Sequence, residues 1–173
     1  VLISNGNGTF QPMVSYTVGA NPSSIALGDF NRDGKIDLAV ANFFGSVSVL
    51  VANGDGTFQP SVEFPAGLNA RDLAVGDFNG DRKLDLAVIN NTNSVTILSG
   101  NEDGSFQDAI VYSTGSISRS ITVGDFNRDG SQDLAVANSG SNNISILLNS
   151  NNGVKSSVLA WGANSAGQLG NGT

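Results

Sequence analysis

Apolar residues along this chain fall in short runs cut by Asn-Gly, Asp-Gly and Ser-rich stretches. No segment shows the three-to-four-residue spacing of an amphipathic helix. Between residues 24 and 65 four runs follow one another: Ser24–Phe30, Ile36–Asn42, Ser46–Ala52 and Phe58–Pro65. The second is apolar at both parities, Leu38 and Val40 against Ala39 and Ala41, which predicts a strand covered on both faces. The third alternates Val47, Val49 and Val51 with Ser46, Ser48 and Leu50, which predicts a less enclosed strand. The Asn-Gly and Asp-Gly pairs supply the turns between them.

This order of runs returns twice at an interval of 48 residues. Ile25-Ala-Leu-Gly-Asp-Phe30 recurs as Leu73-Ala-Val-Gly-Asp-Phe78 and Ile121-Thr-Val-Gly-Asp-Phe126. Asp37-Leu-Ala-Val-Ala-Asn42 recurs as Asp85-Leu-Ala-Val-Ile-Asn90 and Asp133-Leu-Ala-Val-Ala-Asn138. Asn5-Gly-Asn-Gly-Thr-Phe10, Asn53-Gly-Asp-Gly-Thr-Phe58 and Asn101-Glu-Asp-Gly-Ser-Phe106 keep the same phase. Four short strands in a unit of this length predict an all-β protein built of propeller blades, whose known repeats run to about 40–50 residues. The expected architecture is a partial β-propeller of about three and a half four-stranded antiparallel blades. A half blade spans 1–19 and blades begin at about 23, 71 and 119 within a repeat region of 1–156. Ser157–Trp161 falls where the period places the third blade's fourth strand. A ring typically closes with 4–8 blades, so three and a half should leave sheet edges open, and both ends look cut from something longer.

Composition narrows the chemistry. The 173 residues carry 15 acidic and 8 basic side chains, and nine of the acids are aspartates of three short loops. The resulting net charge of −7 argues against nucleic-acid binding. There is no Cys and no His, which excludes thiol nucleophiles, Ser-His-Asp triads, Cys/His zinc sites and a disulfide framework. No apolar run is long enough for a membrane-spanning helix, and no signal segment opens the chain.

The three loops occupy equivalent places after the first run of each unit. They contain Asp29, Asn31, Asp33, Lys35 and Asp37; Asp77, Asn79, Asp81, Lys83 and Asp85; and Asp125, Asn127, Asp129, Ser131 and Asp133. Side-chain oxygens stand at positions one, three, five and nine, with the backbone carbonyl of position seven (Lys35, Lys83, Ser131) as a further donor. That alternation suits Ca2+, which takes 6–8 oxygen ligands, and up to three ions are expected. The pattern matches the first nine positions of an EF-hand loop but has Val40, Val88 or Val136 where the EF-hand Glu would stand, and strands where its helices would be. The alternative is a bare Asx turn. Crowding carboxylates at ~5 Å costs roughly 1–3 kcal/mol per pair, however, and three divalent ions would offset six of the seven net negative charges. Loops one and three have Gly34 and Gly130 at position six; loop two has Arg82 there and Gly80 at position four. Because a non-Gly residue held left-handed costs roughly 1–2 kcal/mol, the middle site is expected to be the weakest unless Gly80 lets the backbone turn earlier.

Gly28-Asp-Phe-Asn-Arg-Asp-Gly34 and its two copies, each followed by Asp-Leu-Ala-Val, resemble the FG-GAP repeats of integrin α-subunit propellers and their bacterial VCBS-type relatives over residues 1 to about 150. The resemblance implies a seven-bladed ring, within the ~4–8 blades of known propellers, and calcium in hairpin loops between a blade's first two strands. It also implies a secreted or cell-surface setting in adhesion or ligand recognition. The missing cysteines favour a bacterial relative. Residues 157–173, with Trp161-Gly-Ala-Asn164 and Gly167-Gln-Leu-Gly170, resemble the opening of a regulator of chromosome condensation repeat. They are read as the start of a second propeller-type domain, or as the last strand of the third blade plus a Gly/Asn-rich tail.

The functional expectation is an extracellular calcium-binding module, not an enzyme, that recognises a protein or a glycan. The alternative is a non-catalytic accessory domain of a secreted carbohydrate-active enzyme. Phe30, Phe78 and Phe126 are expected to anchor the packing of blades. Arg71 and Arg119, in equivalent places, are expected to be solvated surface charge.

Overall fold

The structure is a computed structural model that describes residues 1–149 and the backbone of Trp161–Gly162. Eleven strands and a two-residue twelfth form three antiparallel sheets, and among the described residues there is no helix. The first sheet holds β1 (Pro22–Gly28), β2 (Asp37–Asn42), β3 (Ser46–Leu50) and β4 (Val62–Pro65) in sequential order. The second repeats it with β5 (Ala70–Gly76), β6 (Asp85–Asn90), β7 (Ser94–Leu98) and β8 (Ile110–Ser113). The third has β9 (Ser118–Gly124), β10 (Asp133–Asn138), β11 (Asn143–Leu147) and β12 (Trp161–Gly162). These are the blades of a partial β-propeller. Their first strands β1, β5 and β9 lie side by side and pack on one another, while β4 and β8 are largely exposed at the rim.

The blades pack because each second strand is apolar on both faces and each third strand adds Val, Ile and Leu to the seams. Ala39, Ala41, Val47 and Val49 of the first blade meet Leu73, Leu86, Val88 and Leu98 of the second. Ala87, Ile89, Val95 and Ile97 on the far face of the second meet Ile121, Leu134, Val136 and Leu147 of the third. Phe30 and Phe78 are buried in these two seams, as expected of packing anchors, whereas Phe126 is 49% exposed on the outer face of the third blade. The Gly that precedes each by two residues is explained by the same ring. A Cβ at Gly28 or Gly76 would come within 2.8 and 2.7 Å of ring carbons of Phe30 and Phe78.

Two expectations need correction. The third strand is not the less enclosed one: Val47, Ser48, Val49 and Leu50 are all buried. Ser48 tolerates burial because its hydroxyl hydrogen-bonds the Asn42 side chain and accepts from Gly19 N at 2.9 Å. Thr96 and Ser145 repeat that partnership with Asn90 and Asn138 at 2.7 and 2.8 Å. The second correction concerns phase. Leu38 pairs Leu50 and Leu86 pairs Leu98, but Leu134 pairs Leu147, so the third hairpin contains one extra residue and everything after it lags by one. The fourth strand accordingly pairs through Ile144↔Trp161 and Asn143↔Gly162, the equivalents of Val95↔Tyr112 and Ser94↔Ser113. The rest of 150–173, including Ser157–Ala160 and the second-domain reading, lies outside the described residues.

The half blade at 1–19 forms no continuous strand but keeps the pairing of one. Ser4 bridges Phe10 as Ala52 bridges Phe58 and Gly100 bridges Phe106. Val1 and Val14 exchange two hydrogen bonds of 2.6 and 3.1 Å.

The seams set the stability. Leu86 is fully buried between the first two blades, so Leu86→Ala should lower unfolding free energy by about 2–5 kcal/mol. Val62→Ala, on the 57%-exposed rim, should change it by less than about 0.5 kcal/mol. Equal losses in a denaturant series would contradict the seam as the core.

Candidate metal centres

Each β1–β2-type connection leaves its strand at Asp29, Asp77 or Asp125 and closes on the same net of hydrogen bonds. The carboxylate at position one accepts from the N–H groups of positions five and six: Asp33 and Gly34 onto Asp29 at 3.0 and 2.9 Å, Asp81 and Arg82 onto Asp77 at 3.2 and 2.8 Å, and Asp129 and Gly130 onto Asp125 at 3.2 and 3.0 Å. The asparagine oxygen at position three also accepts from position five, at 3.1, 2.9 and 2.9 Å. The aspartate at position five accepts from the N–H of position seven, at 3.0, 2.9 and 2.8 Å. Asx turns nested in this way curl nine residues around their own side-chain oxygens.

The turn needs left-handed backbone at positions four and six. Loop one has Arg32 (φ 55) and Gly34 (φ 81), loop three Arg128 (φ 63) and Gly130 (φ 85), and loop two Gly80 (φ 78) and Arg82 (φ 66). Every loop thus holds one Gly and one Arg in the left-handed region, and loop two only exchanges them. The strain argument that made the middle loop the weakest therefore loses its basis.

Position nine is the buried member of each loop and reaches across to the third strand. Asp37, Asp85 and Asp133 are completely buried, and both oxygens of each are taken by backbone N–H groups. Asp37 accepts from Phe30 N at 3.0 Å and Ala52 N at 2.8 Å; Asp85 from Phe78 N and Gly100 N, both at 2.9 Å; Asp133 from Phe126 N at 2.9 Å and Asn149 N at 2.8 Å. Each carboxylate therefore ties the loop entrance, the start of the second strand and the exit of the third strand together. Sequence spacing alone did not reveal this fastening role.

Electrostatics set Asp85 apart from the position-five carboxyls. Burial pushes the Asp85 carboxyl above the usual carboxylate range; its two N–H partners oppose this, and Asp81 and Asp77 add to it by repulsion. The position-five carboxyls are all held below the usual range: Asp33 by its bond to Lys35, and Asp129 by the Ser131 N–H and Asn127. Asp81 is lowered against partial burial by the Lys83 N–H, Asn79 and the Lys83 ammonium. The ammonium groups of Lys35 and Lys83 stand 2.9 and 3.5 Å from Asp33 and Asp81, where a cation is attracted. Loop three has Ser131 in that place. Among the described residues no three Asp, Glu, His or Cys side chains are gathered closely enough to hold a metal by themselves. The position-three amide and the position-seven carbonyl belong to any complete donor set. That set is oxygen only, which fits a hard divalent cation.

The loops also touch one another. The Arg32 guanidinium donates to the Arg82 carbonyl and pairs with Glu102, and Gln132 Oε1 accepts the Asp77 N–H at 2.7 Å. None of these links was legible as a sequence signal, because the partners lie 50, 70 and 55 residues apart.

A family model described as FG-GAP-like repeat matches residues 1–40, 29–88 and 77–136, each a stretch around one or two of these loops. The chain belongs to the FG-GAP repeat family. A second model of the family, described as FG-GAP repeat, matches 119–173. No curated protein matches the chain. Among the described residues of this FG-GAP protein no helix is long and apolar enough to cross a membrane.

Two measurements check this reading of the loops. In Asp85→Asn one of the two N–H groups would face an amide donor, which should cost about 1–3 kcal/mol and lower Tm by several degrees. An unchanged melt would contradict the fastening role. In calcium-free buffer, carboxyl 13C titration should place Asp85 above Asp81. The two also act oppositely on stability. The raised Asp85 contributes stability that is full below its unfolded pKa and lost as pH rises through its folded pKa. The lowered Asp81 contributes stability present above its unfolded pKa and lost as pH falls through its folded pKa. A reversed order of the two titrations would refute the assignment.

Proposed function

We propose that this FG-GAP chain is part of a calcium-stabilised propeller that works outside the cell as a recognition module for a protein or glycan. The observation that supports it best is the threefold recurrence of one oxygen-lined loop on a single face, with the same hydrogen-bond net and the same pair of left-handed residues. Positions one, three, five and nine of each loop, with the carbonyl of Lys35, Lys83 or Ser131, are the residues that would hold Ca2+. The position-nine carboxylate is the buried member of that set. When bound, the ion supplies positive charge to a loop whose carboxylates repel. Its binding free energy then adds to folding free energy. The lysines on Asp33 and Asp81 partly substitute for that charge, which makes the third loop the strongest site of the three.

Melting in millimolar calcium against excess chelator tests this directly. A site held at 100 times its Kd adds about 2.7 kcal/mol, so Tm should rise by at least several degrees, and Asp129→Asn should remove more of the rise than Asp33→Asn. Identical melts with and without calcium would remove the proposal.

A further inference from the structure

We propose that the groove beside the β2–β3 hairpin of the first blade, at the end opposite the aspartate loops, binds one or two units of a neutral glycan. The proposal deepens the reading of the chain as a recognition module. The groove has a volume of about 390 Å³ and is lined by Phe44, Phe64, Pro65, Ser46, Glu63 and Gly19 among others. That volume lies at the lower end of the ~300–1,000 Å³ typical of small-ligand sites.

The repeat itself separates scaffold from site. Side chains that the fold requires return in the next unit, as the buried Asp, the Asn at the end of the second strand and the seam residues do. Phe44 and Glu63 do not return: the second blade has Thr92 and Val111 in their places and builds the same sheet. Both departures meet in one groove of one blade. Phe44 leaves 64% of its surface in water, which stabilises nothing in the fold. Its ring is nevertheless held in place, edge to face with Phe43 at 5.6 Å and 86°. Phe43 in turn lies 5.5 Å beneath the Arg71 guanidinium, so Arg71 is a clamp on this pair and not simply a solvated charge.

The chemistry of the lining selects the ligand. A fixed aromatic face accepts the apolar C–H face of a pyranose, and a carboxylate beside it accepts hydrogen bonds from ring hydroxyls. Glu63 is oriented for this by the Ser46 hydroxyl, which donates to its Oε2 at 2.8 Å. No cationic side chain lines the groove, so an acidic ligand would meet the Glu63 charge uncompensated.

The full chain in calcium, labelled with 15N, is titrated with cellotetraose, maltotetraose and mannotetraose, and separately with trigalacturonate and tetralysine. At least one neutral tetrasaccharide should shift the amides of residues 43–46 and 63–65 saturably, and trigalacturonate should not. Phe44→Thr, which installs the residue of the second blade, and Glu63→Gln should each weaken binding about tenfold with Tm unchanged. No shift with any neutral sugar, or undiminished binding by Phe44→Thr, overturns the proposal. Saturation of the same amides by tetralysine alone also overturns it and assigns the groove to a basic peptide. Sugar binding that survives in a chain whose melt ignores calcium would leave this site standing and remove only the metal reading.

Discussion

Everything in this fold hangs on a carboxylate that has no counter-ion beside it. Asp37, Asp85 and Asp133 each bring a carboxyl group into the interior of a blade, where a polar group without partners would be costly. Two backbone N–H groups meet each one, contributed by chain segments seven residues before and 15 or 16 after. The arrangement works because loop exits and strand ends leave N–H groups without ladder partners, and a carboxylate satisfies two of them at once. With those groups fixed, the second and third strands are held in register. Both faces of each strand can then be given over to the seams between blades.

That division of labour explains the polarity of the module. At one end of every blade, the nested Asx turns collect aspartates, and their hydrogen bonds hold Asp33, Asp81 and Asp129 below the usual carboxylate range. At the other end the hairpins are short, rich in Asn and Ser, and free of any recurring charge requirement. The innermost strands are tied across blades by a single acid: Asp72 accepts from Ser24 at 2.8 Å and from Ser120 at 3.1 Å. A scaffold built on one end and along the axis leaves the opposite end able to vary, which is where Phe43, Phe44 and Glu63 break the pattern.

Much of this was legible in the sequence, for a definite reason. The period, the four strands and the loops all rest on local chemistry repeated in phase, and three copies average out the ambiguity of one. What escaped needs tertiary partners. Ser48 reads as a solvent-facing residue until Asn42 is placed beside it. Arg82 reads as strain until Gly80 is seen to take the other left-handed position. Position nine shows no sign of its fastening role until Ala52, Gly100 and Asn149 are found donating to it. The groove at Phe44 was invisible because its partners, Phe44 and Glu63, are joined only by the β3–β4 pairing.

The extra residue in the third hairpin shows what the buried acid does for an array of repeats. If each strand took its position only from the one before, a single insertion would shift the parity of all that follow and turn core side chains outward. Here the extra residue is confined to the hairpin tip between Asn138 and Asn143, and Asn149 still meets Asp133 as Ala52 meets Asp37. The third blade still sets the exit of its third strand against its own aspartate, so the extra residue stays in the hairpin tip and the pairing of β10 with β11 is kept. Such an array can accept insertions at its hairpin tips independently, blade by blade, and so diversify one surface without renegotiating the fold.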